Sequence, residues 1–191
     1  MLRGAALADH LAQIPLRDRD ASIDRLLGLG PAADMPDLPR GAVPYLPCGV
    51  DEILAMVRDV PLGAGDHLVD LGSGLGRVVM LGHLLSNARA TGIEIQGHLV
   101  ERARKRCAAL GLTSVAFHHA NAADLDLDGS VFFLYAPCNG EMLARVLDRV
   151  GAVARRRPIV VCTVGLELAD AAWLTPRASS HVALNIYDSR T

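Results

Sequence analysis

VDLGSGLGRV, residues 69–78, decides how the rest of the chain is read. Three glycines, Gly72, Gly74 and Gly76, fall within five positions between two apolar runs. A short apolar run that stops at glycines and resumes with helical spacing reads as strand, tight turn and helix. Glycine at such a turn marks a backbone that leaves the strand sharply and is approached closely. Gly72 is expected to make the sharp exit. Gly74 is expected to clear a Cβ from the path of a ligand, and Gly76 to let the helix pack near the strand.

Outward from that turn the pattern alternates. HLVDLG (67–72) is a strand and LGRVVMLGHLLSN (75–87) a helix. RATGIEI (89–95) is a strand, and GHLVERARKRCAALG (97–111) a helix with Leu99, Val100, Ala103, Cys107 and Leu110 on its apolar face and Gly111 as its stop. SVAFHHA and VFFLYA are strands, GEMLARVLDRVGAVA (140–154) a helix, and PIVVCTVG and HVALNIYDS the last two strands. Strand–helix alternation predicts an α/β fold, a doubly wound and mostly parallel sheet, with an antiparallel last strand. Residues 166–180 read as a loop.

Upstream, residues 1–30 read as short amphipathic helices, with Leu7, Leu11 and Ile14 on one face and Ile23, Leu26 and Leu27 on another. Residues 31–49 hold five prolines and are neither helix nor central strand. DEILAMVRDV (51–60) is a helix with Asp51 as its cap. The expected organisation is an N-terminal helical cap with a proline-rich lid (1–50) on a ligand-binding domain (51–191).

Composition narrows the function. A length of 191 residues suits one core, and 51% apolar residues exclude a disordered chain. A formal charge of −2 argues against a general grip on nucleic acid or anionic membrane. No apolar run reaches the roughly 18 residues of a spanning helix. The first twenty residues carry acids and a proline too early for a secretion signal, so the expected location is cytoplasmic. Cys48, Cys107, Cys138 and Cys162 lack metal-ligand spacing and are expected as free thiols, with no metal site.

The turn also carries an acid. Asp70 stands two residues before the first glycine, and the spacing is G-x-G-x-G. The dinucleotide fingerprint G-x-G-x-x-G would need a third glycine at 77, which is Arg77. A pyrophosphate seeks bare amides and a helix dipole, and a carboxylate at the strand end would repel it. Asp70 suits a cationic ligand such as S-adenosylmethionine, with its ammonium and sulfonium. Glu94, 22 residues beyond Gly72, falls where an acid meets ribose hydroxyls. Asn121, after the third strand, offers an acceptor to an adenine amino group.

LVDLGSGLGRVV, GIEI and the strand order together resemble class I S-adenosylmethionine-dependent methyltransferases over roughly residues 40–190. The resemblance implies a Rossmann-like methyltransferase fold and S-adenosylmethionine as cofactor. It implies a cofactor site of Asp70, Gly72, Ser73, Gly74, Gly76, Glu94, Ile95, Asn121 and Ala122. Many members carry aspartate where Asn121 stands. A finer pattern, Tyr45-Leu46-Pro47, a helix, then Asp70–Val79 and Gly92–Ile95, is similar to small bacterial methyltransferases and non-SET protein lysine methyltransferases, including those of the ATP synthase c-subunit. It implies Tyr45 as a lid residue over the methionine end of the cofactor.

In such enzymes the loop after the fourth strand borders the methyl group. Here it reads Tyr135-Ala136-Pro137-Cys138-Asn139 and lacks the Asn/Asp-Pro-Pro-aromatic sequence of many amino-directed members. Tyr135 is the candidate catalytic residue, able to hydrogen-bond an amine or stand beside a cation. The expected reaction is methyl transfer to an amine of a protein lysine or small molecule. The alternatives are O- or C-methylation of a metabolite, and a silent S-adenosylmethionine-binding module. An NAD oxidoreductase ranks third, because Arg77 breaks its fingerprint.

Overall fold

The computed structural model describes residues 1–168 and 170–190, so Ala169 of the expected 166–180 loop and Thr191 lie outside the described residues. The chain runs α1 (Gly4–Ala12), α2 (Leu16–Leu27), α3 (Val50–Asp59), β1 (His67–Leu71), α4 (Arg77–Ser86), β2 (Arg89–Glu94) and α5 (Gly97–Ala109). It continues β3 (Val115–His119), β4 (Val131–Tyr135), α6 (Gly140–Ala154), β5 (Val160–Val164), β6 (Leu174–Arg177) and β7 (Leu184–Ser189). The strands form one sheet in the order β3-β2-β1-β4-β5-β7-β6. The first five are parallel, and β7 is antiparallel to both β5 and β6. The expected doubly wound sheet with an antiparallel last strand is the observed one.

Strand order reverses between β1 and β4, and a crevice opens there at the strands' carboxyl ends. β4 is a run of VFFLY because it lies mid-sheet with both faces covered. Phe132 and Phe133 are fully buried on opposite sides.

α4 is buried on all sides from Arg77 to Leu85. A helix apolar all round needs cover on its outer face as well as a sheet on its inner one. α1, α2 and α3 supply that cover, and Leu7, Leu11, Ile23 and Leu27 join the core that contains Leu68 and Phe133. Each such side chain contributes about 1.5–3 kcal/mol when fully buried.

Three local expectations are corrected. The cap of α3 is not Asp51: Gly49 occupies the cap position, and the Val50 N–H donates to Asp20 of α2 at 2.9 Å. Asp51 sits inside the first turn and pairs with Arg19. Leu26 does not share the buried face of Ile23 and Leu27 but is 38% exposed. Residues 166–180 are not wholly loop, since β6 lies within them as the outer strand of the sheet. Pro176 hid it, because proline is tolerated on an edge strand where one side needs no donor.

Candidate active site

The glycine turn is shaped by three side chains from elsewhere in the fold. An ideal Cβ on Gly72 would lie 2.4 Å from Cβ of Pro137, in the loop after β4. One on Gly74, where φ is +52°, would lie 2.1 Å from Cε2 of Tyr45. One on Gly76 would lie 2.4 Å from Cζ of Phe117 on β3. Gly74 thus admits the ring of the lid tyrosine, and Gly76 seats the start of α4 against β3. Gly72 is the exposed member of the three.

Beside the turn lies a cavity of about 140 Å³ that opens to solvent. Its floor is Leu71 at the end of β1 and Gly72 after it, its far wall Ile93 to Gln96, and its near wall Tyr135 to Cys138. Residues 42–46 line it from the proline-rich strap. Of the expected site, Tyr45, Gly72, Glu94, Ile95, Asn121, Ala122 and Tyr135 converge on this cavity. Asp70, Ser73, Gly74 and Gly76 are not among its lining residues.

Glu94 is 6% exposed, and each carboxylate oxygen accepts one backbone N–H: Oε2 from Gly74 and Oε1 from Gln96, both at 2.8 Å. A carboxylate oxygen has a second lone pair, so acceptor capacity toward the cavity remains. Asp70 is 3% exposed and has no hydrogen-bond donor among the described residues. Burial, and then the Glu94 charge, raise its carboxyl well above the usual aspartate range. Ser73 Oγ is buried without a partner. Asn121 Oδ1 accepts from Ala123 N–H at 3.0 Å, so its carbonyl caps a short 3-10 turn at Ala122–Asp124 while the residue lines the cavity.

The strap roofs the cavity. On one side Ala42 bridges Cys138, with Val43 N–H donating to the Pro137 carbonyl at 3.0 Å and Asn139 N–H to Gly41 at 2.8 Å. On the other side Gln96 Nε2 donates to Asp34 Oδ1 at 2.8 Å, and that oxygen also accepts Tyr45 N–H at 2.7 Å. Met35 N–H in turn donates to Gln96 Oε1 at 2.7 Å. Sequence reasoning missed Gln96, Asp34 and Pro137, whose roles are set by partners far along the chain.

Tyr135 lines the wall at the end of β4, and its hydroxyl is pushed up by burial, then by the neighbouring Cys48 and Glu52. Ala136 follows with φ +37°, a strained conformation for a residue with a Cβ. Cys138 is 6% exposed, and burial pushes its thiol up to about 11. It is therefore a neutral wall residue and not a nucleophile. His118 and His119 are exposed, with His119 Nε2 near the Ile95 carbonyl at 3.1 Å. No group of three or more His, Cys, Asp or Glu among the described residues could hold a metal ion.

Residues 62–133 match the methyltransferase domain family. That part of the chain is similar to a methyltransferase domain. The match spans the glycine turn and Glu94, which lie in the cavity's floor and far wall, and ends within β4, before Tyr135.

Solved structures share the fold. An RNA methyltransferase from Salinibacter ruber in complex with S-adenosyl-L-homocysteine is similar at 24% identity over 75% of this chain and 92% of that chain, with TM-score 0.61. A putative methyltransferase, yhhF, from Escherichia coli is similar at 14% identity over 81% of this chain and 91% of that one, with TM-score 0.60. TrmN from Thermus thermophilus is similar at 16% identity over 73% of this chain, with TM-score 0.55. The chain spans 48% of the length of TrmN.

The residues fit the cofactor. Ser73 Oγ is a buried polar atom without a partner, and the buried Asp70 carboxyl stands near Glu94, as a site holding a polar, cationic ligand would leave them. Glu94 keeps acceptor capacity toward the cavity, and Ile95, Ala122, Met142 and Val146 are apolar lining residues.

Proposed function

We propose that the protein is an S-adenosylmethionine-dependent methyltransferase that acts on an amine nitrogen, of a protein lysine or a small molecule, placed beside Tyr135. The observation that carries this is the charge of the wall. Among the described lining residues Glu94 is charged, no Lys, Arg or His appears, and Glu52 acts on the Tyr135 hydroxyl from outside. Such a site draws a cation and offers nothing to a phosphate.

S-adenosylmethionine supplies an already activated methyl group on its sulfonium. The chain's own residues bind, orient and exclude water. Glu94 holds hydroxyls, and the buried Asp70 carboxyl stands near it. The strap with Tyr45 covers the cavity, and Tyr135 aligns the acceptor. Alignment of nucleophile and methyl accounts for a contribution of several kcal/mol, up to about 7–11 in well-oriented systems. Because the Tyr135 hydroxyl is raised, it stays neutral near pH 7 and serves as a hydrogen-bonding group and not as a phenolate base. Proximity of the sulfonium and desolvation favour the neutral amine.

The test is transfer of labelled methyl from S-adenosylmethionine to a panel of lysine peptides, small amines, hydroxylated metabolites and RNA. Label on an amine nitrogen is expected. Label on RNA alone would overturn the acceptor class, and tight cofactor binding with no turnover on any acceptor would identify a silent binding module.

A further inference from the structure

The geometry points to Arg77 as a positioning residue that fastens the lid to the cofactor turn through the N-terminal helices. This inference rests on the S-adenosylmethionine site described above. It assigns a role to a residue that lines no part of the cavity.

Arg77 opens α4 directly after the glycine turn and is 5% exposed, although it carries a full charge. Its guanidinium is divided between two parts of the N-terminal segment. Nη2 donates to both oxygens of Asp24 on α2, at 2.7 and 2.8 Å, and Nε donates to Oδ1 at 3.1 Å. Nη1 donates to the Cys48 carbonyl at 2.6 Å and lies 3.4 Å from Asp20. Cys48 ends the strap, three residues after Tyr45. Asp20 also accepts the first N–H of α3.

The same guanidinium neighbours the lid tyrosine. The Tyr45 hydroxyl is raised by burial and lowered by the Arg77 charge, with Asp24 opposing it and a backbone hydrogen bond at Leu75 lowering it further. The ring lies across Gly74. Arg77 therefore fixes the strap's carboxyl end by its backbone and sets the charge around its aromatic ring, while Asp24 sets the plane of the guanidinium. A bidentate arginine–carboxylate pair defines orientation in a way a lysine does not. The N-terminal helices thus cover α4 and also hold the lid's anchor from outside the cavity.

The prediction is coupling at a distance. Asp24 is part exposed and tolerates replacement by an isosteric amide, which keeps the shape and weakens the fork. Asp24→Asn should weaken S-adenosylhomocysteine binding about tenfold, close to 1.4 kcal/mol. In a Tyr45→Ala background the same change should cost less than about twofold, because the group that Asp24 positions is gone. Arg77→Lys should resemble Asp24→Asn, with the melting temperature read alongside.

Calorimetric titration of the four proteins of the Asp24/Tyr45 cycle decides this. Equal losses in both backgrounds would overturn the inference and leave Arg77 as a purely structural ion pair. If Tyr45→Ala no longer binds measurably, tryptic cleavage after the exposed Arg40 in the strap replaces it. Faster cleavage in Asp24→Asn with an unchanged melting temperature supports lid positioning, and unchanged cleavage overturns it. Absence of S-adenosylhomocysteine binding in the wild-type protein would instead defeat the underlying cofactor assignment.

Discussion

The floor of the cavity and its roof are held by different forces. The floor is set by close packing: Pro137, Tyr45 and Phe117 fill the spaces that side chains on Gly72, Gly74 and Gly76 would occupy. The roof hangs on hydrogen bonds to the strap, from Gln96 and Arg77 on the body and from the loop after β4. Packed contacts fail all at once when a Cβ is added. A hydrogen-bonded strap loses its anchors one at a time, each worth about 0.5–1.5 kcal/mol net. The floor is thereby suited to fixing the cofactor, and the roof to admitting and covering it.

The largest effect is expected at the floor. Gly74→Leu must expel the Tyr45 ring and strain a backbone at φ +52°. Affinity for S-adenosylmethionine should fall by more than about 100-fold, or over 2.7 kcal/mol. Unchanged affinity in calorimetry would remove the turn from the site. Glu94→Ala comes next, because it orphans the buried N–H groups of Gly74 and Gln96 along with any ribose contact. Each orphaned group costs about 1–3 kcal/mol, so melting temperature and binding should fall together.

Asp70→Asn separates binding from stability. The folded-state pKa of Asp70 is raised, so its contribution to stability is full below the unfolded value near 4 and is lost as pH rises through the raised value. At pH 7 the amide should make the ligand-free protein more stable, by about 2–4 °C in melting temperature per kcal/mol recovered. It should also weaken S-adenosylmethionine binding. A drop in ligand-free stability at pH 7 would contradict the burial cost assigned to this carboxyl.

The roof should respond more mildly. Gln96→Ala frees the Asp34–Met35 end of the strap and should weaken binding by roughly three- to tenfold with little change in melting temperature. The smallest effect is expected far from both. Arg156 and Arg157 follow α6 and hold the loop before β4 through Asp126, Asp128 and the carbonyls of Leu127 and Gly129. Their replacement by alanine should leave cofactor affinity unchanged and cost less than about 1 kcal/mol for each exposed ion pair.

The same contrast explains what could be read from the sequence. The floor is legible because its parts are local: apolar strand, glycines and helix in ten residues, with Glu94 of the far wall at a fixed distance beyond. The turn alone does not show that a Cβ on Gly74 would also meet Tyr45, from 29 residues upstream. Five prolines excluded helix and central strand from the strap, yet they did not reveal Asp34, Gln96 or the pairing of Ala42 with Cys138. Local rules make Asp51 a cap, whereas the acceptor for that helix start comes from Asp20 on a different helix. β6 was hidden by Pro176, a residue that weakens a strand signal everywhere except at an edge.

The most direct test of the central claim is calorimetric titration of the purified protein with S-adenosylmethionine and S-adenosylhomocysteine, with NAD as control. Micromolar binding of both, and none of NAD, is the predicted result. Failure of both to bind, or preference for NAD, would contradict the assignment of this cavity.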